Sequence, residues 1–132
     1  MQDRPTIDEL LGAVERFLER EIVPQLHGRD QFHARVAANV LAIVRRELAL
    51  ETEQLQHEWQ RLARLRRSCE SEPAGSPADV KKQVRRWTEE LCEWIRNAPI
   101  DSLLEQKDLW QHLEATTREK LLVANPRLVE DP

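Results

Sequence analysis

Three glycines, two phenylalanines and no tyrosine in 132 residues leave little material for the tight turns and aromatic cross-strand pairs of a sheet-rich fold. Cysteine is nearly as scarce. Cys69 and Cys92 each fall inside a predicted helix, which argues against a disulfide framework and for two free thiols in a reducing compartment. No apolar run approaches the roughly 18 residues of a membrane span, and no apolar signal region follows Met1-Gln2-Asp3-Arg4-Pro5. A cytoplasmic protein with no membrane role is expected. A glycine-rich phosphate loop, Cys-x-x-Cys, His-Glu-x-x-His and Glu-x-x-His are all missing, so no nucleotide, zinc or di-iron signature is present. No catalytic residue, metal or cofactor is assigned, and whether the chain is an enzyme stays open, with a non-enzymatic role favoured.

What remains is a helix-forming chain, 40% hydrophobic and 33% charged, of a length that fits one domain over residues 1–132. Thr6-Ile7-Asp8-Glu9 has the form of a capping box. It opens a helix whose stripe is Leu10, Leu11, Val14, Phe17, Leu18 and Ile22. Pro24 disfavours helical geometry at Val23 and ends it, and Asp30 is placed to cap the next helix.

That second helix, Phe32 to Leu48, organises the reading. At about 100° per residue, Phe32, Val36, Val40, Ile43, Val44 and Leu48 share one half of its circumference, while Ala34, Ala38, Ala42 and Ala49 fill most of the other. Two packable sides predict a central helix buried on all flanks. A break is expected near residue 50, where the pattern thins to Leu55, Trp59, Leu62, Leu65 and Cys69; one long bent helix is the competing reading. Ser71 to Ser76 reads as a loop, and Ser76-Pro77 restarts a helix with the stripe Val80, Val84, Trp87, Leu91, Trp94 and Ile95. These two helices are expected to form a protruding hairpin with its tip at about residues 60–86. A last helix carries Leu109, Trp110, Leu113, Thr117 and Leu121 on one face and stops before Pro126, leaving a loose tail at 127–132. The expected architecture is an all-α bundle of about five helices.

Few polar residues interrupt the central helix. Arg35, Asn39 and Arg46 share one narrow strip, and His33 and Glu47 sit within the apolar half. As a ligand-binding group, His33, Arg35, Asn39 and Arg46 would form a pocket wall for an anionic or amide-bearing molecule. The structural alternative makes the strip a solvent edge or a link to neighbouring carboxylates, and His33 a core histidine.

The net charge of −4 hides a skew: eight basic residues face three acidic ones between Arg61 and Arg86. Arg64, Arg67, Lys81, Lys82 and Arg85 are the resulting partner-binding candidates, with a plainly solvated hairpin tip as the alternative. A sequence pI of 5.6 without a recognised DNA-binding motif disfavours nucleic acid.

The segments RPTIDELLGAVERFL, FHARVAANVLAIVRREL and KLLVANPRL resemble a small all-helical bacterial domain family with no assigned function. The likeness covers both ends and the middle of the chain, while Thr52 to Lys82 departs from it. Members of that family are encoded beside, or fused to, aminoglycoside-phosphotransferase-like kinases, often near acyl-CoA dehydrogenases. The resemblance therefore implies an accessory protein that binds such a kinase or associates with itself, in acyl-CoA or related small-molecule metabolism. A small-molecule or acyl-CoA-binding bundle is the alternative.

Overall fold

The computed structural model describes residues 4–67 and 72–130, and these are helical with no strand among them. Helix α1 spans Ile7–Phe17 and starts as its sequence dictates. Thr6 Oγ1 accepts from the Glu9 amide at 3.2 Å while Glu9 returns a carboxylate to the Thr6 amide at 2.7 Å. A π turn (Leu18–Ile22) and a 3-10 turn holding Pro24 (Val23–Gln25) carry the chain to Gly28, whose φ of 57° is one that L side chains rarely adopt.

Helix α2 then runs unbroken over Gly28–Leu65, 38 residues or about 57 Å. The break expected near residue 50 is absent, because Ala49-Leu50-Glu51-Thr52 holds neither glycine nor proline to interrupt the backbone ladder. Asp30, expected as the cap, lies inside the first turn, where its charge still suits the helix dipole.

Helix α1 packs antiparallel on the first half of α2. Gln31 donates to the Val23 carbonyl at 3.0 Å beside the turn. Farther along, Arg45 bonds Asp8 at 2.7 and 3.1 Å and Glu15 at 2.7 Å. Gly12 is buried at this crossing, and a Cβ there would lie 3.1 Å from the Arg45 guanidinium carbon.

Helix α3 (Pro77–Asn97) opens on a capping box in which Ser76 and Asp79 satisfy each other's amides. It lies against the second half of α2, where Trp59, Leu62 and Ala63 meet Val80, Val84 and Trp87 in the core. The two indoles are 5.6 Å apart, and Trp59 Nε1 donates to Gln83 at 2.9 Å. Ion pairs Lys81–Glu51 and Arg66–Glu90 bracket this contact. Partners rise together along both helices, so α3 is parallel to α2. The expected protruding hairpin is therefore not formed: ahead of α3, Pro73 and Gly75 lie back beside Thr52 and Leu55.

After α4 (Ile100–Leu104), α5 (Lys107–Ala124) returns antiparallel to α2, and α6 (Arg127–Glu130) occupies most of what was expected to be a loose tail. Leu109 and His112 are the buried residues of α5. Of the predicted stripe Leu109 is buried, but Trp110 and Leu113 face outward, 49% and 37% exposed.

Helix α2 is thus a spine shared by α1, α3 and α5, but its first half is not enclosed. Ala38 is buried at 2%, whereas Phe32, Val36, Val40, Val44 and Leu48 are 36–62% exposed. The alanine side is the packed one, because small residues allow close helix approach, and the larger apolar side is bare. The expectation of a helix covered on all flanks is overturned.

Candidate functional site

The bare side of α2 adjoins a bare side of α1. Helix α1 turns Leu11, Gly12 and Glu15 inward or partly inward, and leaves Ile7, Leu10, Val14 and Phe17 at 50–67% exposure. On neighbouring antiparallel helices, periodicity brings Leu10, Val14 and Phe17 to the side of the hairpin that Val40, Val44 and Leu48 occupy. Leu55, Trp59 and Leu62 continue that side of α2 toward its C-terminus, and there α3 covers it. One apolar strip thus follows the spine, covered downstream and open upstream. Patches beyond a few hundred Å² are uncommon on a monomeric soluble protein.

A second feature, the seam between α2 and α5, is polar. Arg61 donates to both oxygens of Glu119, at 2.8 and 2.5 Å, and its side chain is 13% exposed. His112 is buried at 3% next to it. Burial holds the His112 imidazole below the usual histidine range, with Arg61 adding to the effect and Glu119 opposing it. Among the described residues neither Arg61 Nε nor His112 Nδ1 has a hydrogen-bond partner. A cavity of about 50 Å³ lies beside them, lined also by Arg64, Asp108 and Gln111, which is room for a bridging water. Farther along, Glu47, Glu51, Glu58, Lys81, Glu119 and Lys120 border an open cleft of about 270 Å³. Burial pushes the Glu58 carboxyl up, offset in part by Arg61. This seam fastens two helices. Among the described residues no group of three or more His, Cys, Asp or Glu side chains is arranged to hold a metal ion.

The ligand-binding candidates do not converge. Arg35 and Asn39 are exposed on α2. Arg46 reaches α5 instead, donating to the Val123 carbonyl at 2.7 Å. His33 is exposed and accepts from Arg29 Nε at 3.1 Å. The partner-binding candidates are spread out as well. Lys81 pairs with Glu51 and Arg85 with Glu89, Lys82 is exposed, and Arg64 and Arg67 lie at the end of α2. Residues 51 and 67 are about 24 Å apart along the axis, so the parallel course of α3 draws Lys81 away from Arg67. Cys92 is free and exposed, while Cys69 lies outside the described residues. Sequence reasoning missed Arg45, Arg61, Glu119 and His112. For Arg45 a signal exists, since it falls seven residues after Ala38 on the alanine side, opposite a glycine in α1.

An all-helical protein with an open apolar hairpin face and no assembled catalytic centre among its described residues is the class these features define. Residues 24–128 match the model of a domain of unknown function, DUF6285, and the chain belongs to that family. No curated protein and no solved structure matches the chain. Among the described residues no helix is long and apolar enough to cross a membrane.

Proposed function

We propose that this chain is a non-enzymatic helical interaction protein whose working surface is the open apolar face of α1 and the first half of α2. The observation that carries this reading is the area the chain exposes, 10387 Å². A compact monomer of 15.5 kDa exposes about 7,200 Å². The excess, on the order of 3,000 Å², is more than one partner's share of even a large permanent interface, about 1,000–2,500 Å². A second apolar surface points the same way: Trp110, Leu113, Leu121 and Leu128 line a groove of about 560 Å³ between α5 and α6.

The family resemblance read from the sequence supplies a partner, a phosphotransferase-like kinase acting in acyl-CoA or other small-molecule metabolism. Co-expression with such a kinase tests it. Co-elution, with a changed phosphotransfer rate, is the expected result; separate elution with an unchanged rate would overturn the kinase assignment. The ligand-binding alternative draws less support, since Arg46 is engaged by Val123 and the cleft along the α2–α5 seam is bordered by other residues.

A further inference from the structure

We infer that the open face of α1 and α2 is closed by a second copy of this chain, docked antiparallel about a two-fold axis. This rests on the interaction-protein reading and names its occupant. On α2, Val36, Val40, Val44 and Leu48 repeat every four residues, symmetrically about residue 42. On α1, Ile7, Leu10, Val14 and Phe17 are spaced three, four and three, symmetrically about residue 12. The Gln31–Val23 hydrogen bond fixes how the helices are staggered. Eleven residues back from Val23, through the π turn, and eleven forward from Gln31 bring residues 12 and 42 to within about one turn of the same level, in keeping with the approach of the Arg45 guanidinium to Gly12. Both stripes are therefore palindromic about nearly the same level of the hairpin.

A two-fold axis at that level, perpendicular to the helices, sets Val36 of one copy over Leu48 of the other and Val40 over Val44. It likewise sets Ile7 over Phe17 and Leu10 over Val14. Every apolar level meets an apolar level, as an isologous interface requires, and two helical hairpins become a four-helix bundle. Just outside the strip the same operation brings His33, beside Arg29, to the level of Glu51, which Lys81 already pairs, so the apolar strip is bounded by polar groups on both copies. The area suffices: eight half-exposed side chains at about 100 Å² each give on the order of 800 Å², one partner's share of a standard specific interface. A nucleic acid or an anionic bilayer suits neither a strip whose charge is the carboxylate of Glu47 nor a chain of net charge −4.

Sedimentation equilibrium of the wild-type chain, Val40→Lys and Trp110→Ser tests the inference. Val40 is 49% exposed in the single chain, so Val40→Lys leaves the fold intact, which circular dichroism checks. The wild type and Trp110→Ser are expected at twice the chain mass, and folded Val40→Lys at the single mass. Orientation is read by a short bismaleimide cross-linker in a background with both cysteines replaced by serine. A mixture of Val36→Cys and Leu48→Cys chains is expected to cross-link to each other. Val36→Cys alone is not, because its two copies lie about 18 Å apart along the axis. A monomeric wild type, a Val40→Lys dimer or efficient Val36–Val36 coupling would overturn the inference. A monomeric wild type that still captures a kinase would leave the interaction-protein reading standing and remove only the second copy.

Discussion

Arg61 on α2 clasps Glu119 on α5 through both carboxylate oxygens, at 2.8 and 2.5 Å, with both side chains less than one-fifth exposed. Breaking such a pair leaves Arg61 with little water and no hydrogen-bonded carboxylate, which costs about 3 kcal/mol. Glu119→Ala is expected to lower Tm by about 10 °C. A change of under about 2 °C would mean that the seam is solvated and that α5 is held by other contacts.

His112 gives the same seam a pH dependence. Burial lowers its folded-state pKa from the ordinary 6.5, so the unfolded chain takes up the proton first on acidification. Stability is full above about pH 6.5 and falls between that value and the lower folded one. Thermal unfolding at about pH 7.5 and pH 5.5 should show a larger loss for the wild type than for His112→Gln; equal losses would place the imidazole in water.

Glu58 bears on stability with the opposite sign. Its raised pKa reflects a carboxylate held partly out of water, a penalty present once the pH exceeds the folded value. Glu58→Gln removes the charge while keeping the shape, and is expected to raise Tm by about 2–4 °C at neutral pH. A fall would show that the charge is used.

The start of α3 is a local device with a local cost. Ser76→Ala loses the side-chain oxygen that receives the Asp79 amide at 3.3 Å, and about 1 kcal/mol of stability is expected to go with it by urea denaturation.

Helix starts and stops were legible where a residue acts on its own backbone. Thr6 with Glu9, Ser76 before Pro77 and the stop before Pro126 all fall where the sequence places them. Helix faces were less legible. Periodicity finds an apolar stripe but does not say what covers it, so the Val40 side of α2 and the Trp110 side of α5 read as core. The covered sides carry alanine, glycine, arginine and glutamate, whose burial depends on neighbours far apart in sequence, as Arg45 depends on Asp8 and Glu15. The parallel course of α3 escaped for the same reason, since it is set by Glu51–Lys81 and Arg66–Glu90 contacts across a long connection.

Thiol labelling along α2 asks most directly whether the apolar face is covered. In a background lacking both native cysteines, the maleimide reaction rate of Val40→Cys is compared with that of Asn39→Cys, one residue away on the same helix and outside the apolar strip. Both positions are exposed in the single chain. A covered face requires residue 40 to react about tenfold more slowly than residue 39 in the native protein, with the two rates converging in denaturant. Equal rates in the native protein would contradict it.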